Sequence, residues 1–101
     1  MRIVLACALA AFMFPLASRA DAPPKLGLCA ACHGENGHAS VVAHPNLAGQ
    51  NLAYLRDAIA QYRSGKRDFP AMRAALGMLN AAEADAILAW YAQQPAQAAQ
   101  P

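Results

Sequence analysis

Cys29-Ala30-Ala31-Cys32-His33 brings two thiols and an imidazole into five residues. On a helix the two sulfurs lie about one turn apart, close enough for both to bond the vinyl groups on one edge of a porphyrin. The adjacent His33 then supplies an Nε2 lone pair for the iron beneath the ring. These residue types in this order predict one covalently attached haem c, held through Cys29 and Cys32 with His33 as the proximal ligand.

Other chemistries of paired cysteines fit less well. A thioredoxin-like redox pair needs a hydrophobic strand before the motif and an alternating β and α pattern around it, and nothing upstream reads as that strand. A zinc site needs four ligands, and only His38 and His44 remain to complete it at irregular spacing. A disulfide across so short a loop leaves His33 without a role.

The sixth position of a low-spin electron-transfer iron takes a Met sulfur or a second His nitrogen. His38 and His44 follow His33 so closely that either must cross the edge of the ring to reach the far face. Met72 and Met78 come after a full helix and can approach from that face. Met72 lies two residues after Pro70, outside a regular helix or on its first turn, which favours it. Met78 abuts Leu79 and the last helix and is the competitor, since ordinary core packing also accounts for it.

The elements that must position these groups are helical. Residues 1–20 run from Met1-Arg2 through an apolar stretch, Ile3 to Ala17, to Ser18-Arg19-Ala20, and are expected to be a cleaved secretory signal, taking Cys7 with them. The stretch contains Pro15 and falls short of the ~20 residues of a membrane-spanning helix, so no stable membrane insertion is expected once the signal is removed. Residues 21–101 then form one domain, small enough that a buried porphyrin would supply much of its apolar mass. The expected location is the periplasm.

Within that domain the two prolines of Pro23-Pro24 leave room for a short first helix starting near Pro24 or Lys25 and carrying Leu26 and Leu28 into the motif. Residues 34–50, with Gly34 and Gly37 able to take positive φ, are expected to loop around one face of the cofactor. A helix from Asn51 to Ser64 places Leu52, Leu55, Ile59 and Tyr62 on one stripe and stops at Gly65. A last helix from Ala81 to Gln94 has Asn80 as its N-cap, Glu83 at its third position and Ala84, Ile87, Leu88 and Tyr91 as its buried stripe. No strand pattern, repeat or dinucleotide-binding motif appears.

The formal charge of +2 comes entirely from Arg2 and Arg19, so residues 21–101 are balanced and no nucleic-acid partner is indicated. Arg63, Lys66, Arg67 and Arg73 nevertheless cluster, either toward the haem carboxylates, as a docking patch, or as a solvated face.

With these residues in place, the chain resembles the class I c-type cytochromes, closest to the c4-like and small c553-like group. The resemblance is carried by Cys29 to Gly34 with Gly37, by Pro45-Asn46-Leu47-Ala48-Gly49-Gln50, by Tyr54-Leu55, by Tyr62-Arg63 with Gly65 and Arg67, and by Met72 with Leu79. It implies the all-α cytochrome c fold, three to four short helices and loops wrapped around one covalent haem. It also implies Met72 as the distal ligand and the Pro45 carbonyl as acceptor of a hydrogen bond from His33 Nδ1. The first helix lacks the aromatic that this family brings to its crossing with the last helix, and Trp90 and Tyr91 are expected to pack around Leu26 or Leu28 instead.

A His and Met pair leaves no open position on iron, so the expected function is one-electron transfer rather than catalysis. The protein would work as a free carrier or as the cytochrome subunit of an oxidoreductase, with dehydrogenase or oxidase subunits as redox partners. A haem sensor or peroxidase-like protein with a displaceable distal ligand is the alternative, and a non-haem thiol or zinc protein is a third.

Overall fold

A computed structural model describes Ile3 and residues 21–96. The expected signal segment, apart from Ile3, and the last five residues lie outside the described residues. Four helices follow in order: α1 (Gly27–His33), α2 (Leu52–Ser64), α3 (Pro70–Leu76) and α4 (Ala81–Ala92), with no strand among the described residues. This all-α arrangement of short helices and loops is the one the resemblance implies.

Backbone chemistry accounts for where each helix begins and ends. Helix α1 starts at Gly27, later than the expected Pro24 or Lys25, because Lys25 adopts a left-handed φ of 65° that no right-handed helix can include. At the start of α2 the Asn51 side chain accepts a hydrogen bond from Tyr54 N at 3.1 Å, and Gly65 in the left-handed conformation stops the helix. The short α3 puts Met72 on its first turn, one of the two placements expected for it. Pro70 opens the helix after an extended Phe69, so the missing N–H falls where no intrahelical partner exists.

Helix α4 carries a complete capping box. Asn80 Oδ1 accepts from Glu83 N at 2.8 Å, and Glu83 Oε1 accepts from Asn80 N at 3.1 Å, a device worth about 1 kcal/mol. The helix ends at Ala92 rather than Gln94, since Gln94 immediately precedes Pro95 and is biased away from helical backbone.

Packing centres on α4. Leu26, Leu79, Ala84, Ile87 and Tyr91 form the buried cluster, with Leu28, Ala30, Ile59 and Trp90 against it. Leu26 from the segment before α1 and Tyr91 from α4 thus meet in one core, the arrangement expected in place of an aromatic on the first helix. Gly27 takes no part in that contact, since a Cβ there would meet nothing within 4 Å. Helix α2 packs on both α3 and α4. No helix among the described residues is long and apolar enough to cross a membrane.

The long loop from Gly34 to Asn51 is ordered by its own backbone bonds. Gly37 O accepts from Leu47 N at 2.8 Å and from Ala48 N at 3.1 Å, and Asn46 Oδ1 accepts from Ala39 N at 2.8 Å. Gly37 is required at its place: its φ is 81° and a Cβ would come within 2.6 Å of Ala48 N.

Candidate functional site

One cleft of about 380 Å³ brings together both motif thiols, His33 and Met72. Helix α1 contributes Cys29, Cys32 and His33, the loop contributes His44, Pro45 and Leu47, and α3 contributes Met72. The remaining wall is largely apolar, built from Leu55, Ala58 and Ile59 of α2 and from Leu76, Ile87 and Leu88.

The apolar stripe of α2 takes a different meaning here. Leu55, Ile59 and Tyr62 face the cleft together with Ala58, whereas Leu52 does not line it. Within the stripe only Leu55 is fully buried; Ala58, also buried, lies outside the expected spacing. The 3.6-residue period therefore marks a face turned to a cofactor as readily as one turned to a protein core.

His33 is 7% exposed, and its Nδ1 lies 2.9 Å from the Pro45 carbonyl oxygen. A carbonyl only accepts, so Nδ1 carries the proton and Nε2 keeps its lone pair. The imidazole is thus set in the tautomer that a metal ligand needs, and the hydrogen bond increases its basicity. Burial raises the pKa of the Cys29 thiol, and the neighbouring Cys32 adds to the effect. Cys32 is exposed and both thiols are free of any disulfide.

Of the four candidates for the sixth position, two line the cleft and two lie outside it. Met72, half-buried on the first turn of α3, lines the cleft. Met78 is 62% exposed and points elsewhere, with its carbonyl 3.5 Å from Lys25 Nζ. His38 is engaged outside the cleft, its Nε2 donating to Pro95 O at 2.8 Å. His44 also lines the cleft, with its ring centroid 6.3 Å from that of His33 and its Nδ1 buried without a hydrogen-bond partner.

The cluster of four cations does not act as one patch. Arg73 pairs with Asp68 at 2.7 Å, while Arg63 and Lys66 are exposed. Arg67 alone of them lines the cleft, where no carboxylate accompanies it. Its guanidinium sits 5.9 Å from the Tyr54 ring centroid and 5.6 Å from that of Tyr62, and its Nε donates to Gln61 Oε1 at 2.8 Å. Nothing local in the sequence distinguishes Arg67 from Arg63. Only the chain reversal at Gly65 turns it back over the two tyrosines of α2.

These residues fit a porphyrin. Two thiols and an imidazole with a free Nε2 stand at one wall, a thioether sulfur belongs to another, apolar side chains line the rest, and one cation is available for peripheral carboxylates.

Comparison with known proteins agrees. The family described as cytochrome C oxidase, cbb3-type, subunit III matches residues 27–90, more than half of the chain. Cytochrome c-554(548) of Halomonas halodenitrificans is 46% identical over 43 residues, covering 43% of this chain and 52% of that protein. The thiosulfate dehydrogenase electron acceptor of Stutzerimonas stutzeri is 34% identical over 80 residues, covering 78% of this chain and 37% of the relative. Cytochrome c4 of Pseudomonas aeruginosa is 34% identical over 70 residues, covering 69% and 35% respectively. The chain thus spans about half of the first relative's length and little more than a third of the other two.

Proposed function

This chain belongs to the class I c-type cytochromes, which carry covalently bound haem c, and from that premise we propose that it transfers single electrons through one haem closed on both axial sides by His33 and Met72. The observation that carries this reading is the convergence of Cys29, Cys32, His33 and Met72 on one apolar cleft. When bound, the haem supplies an iron that cycles between ferrous and ferric states, with the thioether sulfur favouring the ferrous one.

The protein's part is to hold and enclose that group. Cys29 and Cys32 fasten its edge through sulfur. His33, kept in one tautomer by Pro45, offers Nε2 to the iron, and Met72 offers its sulfur from α3. Leu55, Ile59, Ile87 and Leu88 exclude water, which limits the rearrangement that accompanies each change of charge. Arg67 is the cation suited to the haem carboxylates, held in place by Gln61 and the faces of Tyr54 and Tyr62.

The periplasm is the expected location, since covalent haem attachment belongs to that side of the bacterial membrane. The name of one relative, a thiosulfate dehydrogenase electron acceptor, supports a dehydrogenase as electron donor. The chain then works as a free carrier or as the cytochrome subunit of an oxidoreductase, and copurification of a redox subunit separates the two. The test of the ligand set is the response of the reduced, matured protein to carbon monoxide at neutral pH. No binding is expected. Ready binding would instead favour a sensor or peroxidase-like role with an open distal position.

A further inference from the structure

Tyr91 is fully buried, 0% exposed, yet it is more than a filler of the core. Its hydroxyl donates to Gly34 O at 2.9 Å, the carbonyl of the residue immediately after His33. Its own main-chain carbonyl accepts from Gly49 N at 3.0 Å, four residues after Pro45. One residue of α4 therefore holds both segments that meet in the His33 to Pro45 hydrogen bond.

The surroundings make this hold stiff. Gly34 O also accepts from Gly37 N at 3.3 Å, and the Tyr91 ring stands so close to Gly37 that a Cβ there would lie 2.9 Å from Cδ1. Trp90, the preceding residue, donates from Nε1 to Glu35 O at 3.1 Å, so two successive side chains of α4 take up two successive carbonyls of the turn. A buried hydroxyl in such a place fixes direction as well as position, because losing it leaves a carbonyl short of a partner in a low-dielectric interior.

We propose that Tyr91 is a positioning residue for the proximal ligand: by tying Gly34 and Gly49 together it sets the His33 Nδ1 to Pro45 hydrogen bond, and through that bond the electron donation of His33 to iron. This rests on the reading of His33 as the axial ligand. A loosened bond lowers the basicity of the imidazole, weakens its support for the ferric state and raises the reduction potential.

Tyr91→Phe tests it in the matured haem protein, because the ring is kept and only the hydroxyl is lost. Leu26→Val, in the same core but not lining the cleft, serves as the control for general loosening. The readouts are solvent exchange of the His33 Nδ1 proton by NMR in the reduced state, and the midpoint potential. Exchange at least about ten-fold faster in Tyr91→Phe than in Leu26→Val, with a raised potential, is the expected result. Equal exchange in the two variants, or a potential unchanged from wild type, overturns the proposal. Failure of His33 as ligand is recognised separately, in the wild-type protein, where the His33 ring protons would then lack the large upfield shift of an axial imidazole.

Discussion

His33 and Pro45 are joined by a 2.9 Å hydrogen bond across eleven intervening positions, and the carbonyl end of that bond dictates which imidazole nitrogen keeps its lone pair. The site is thus prepared by backbone placement, since Pro45 contributes its main chain alone. Replacing residue 45 is expected to act through geometry. Pro45→Ala keeps the carbonyl but frees φ, so the matured protein should retain its low-spin spectrum while the His33 Nδ1 proton exchanges faster with solvent, measured by NMR in the reduced state.

Two glycines give opposite outcomes for the same substitution. Gly37→Ala places a Cβ within 2.6 Å of Ala48 N at a φ of 81°, and should cost about 2 kcal/mol or more in denaturant unfolding. Gly27→Ala places a Cβ in open space on α1 and should stabilise by about 0.5 kcal/mol. Equal effects of the two would contradict the packing described for the loop.

Much of this was legible in the sequence where the determinants are local. Asn80 announces a helix start three residues from the group it caps, and the spacing of Cys29, Cys32 and His33 states its own chemistry. Helix α3 was legible only as a possible first turn after Pro70, because seven residues opened by a proline have little periodicity to read and take shape from packing on α2. The separate fates of Arg67 and Arg63, and the reach of the Tyr91 hydroxyl to Gly34 over 57 positions, are tertiary facts. Composition alone marks Tyr91 only as an apolar stripe member.

Arg67 is the cleft's one guanidinium, and its removal should be felt electrically. Arg67→Gln is expected to lower the midpoint potential by tens of millivolts, on the order of 1 kcal/mol for a partly screened charge, and less at high salt. Arg63→Gln, on the exposed side, should leave the potential almost unchanged. Protein-film voltammetry of the two variants at two ionic strengths checks both statements.

Acid stability depends on ion pairs that bind α4 to its neighbours. Glu83 is held below its ordinary pKa of 4.5 by its bond to Lys25, then by the Asn80 backbone N–H, and Asp85 below 3.8 by Arg56. A carboxylate with a depressed folded pKa binds fewer protons than in the unfolded chain, so its contribution is present above the unfolded value and is lost as pH falls through the folded one. Thermal unfolding below pH 4.5 should therefore lose stability more steeply in wild type than in Glu83→Gln. The difference should be small and should shrink with salt, since these groups are exposed.

The central claim is that iron is enclosed between His33 and Met72, and the ferric absorption spectrum of the matured protein tests it most directly. A weak sulfur-to-iron band at the red end should be present in wild type and in Met78→Ala and absent in Met72→Ala, whose reduced form should also gain carbon monoxide binding. A band that survives Met72→Ala and disappears in Met78→Ala, or a wild-type protein that shows no haem absorption at all, would contradict the account.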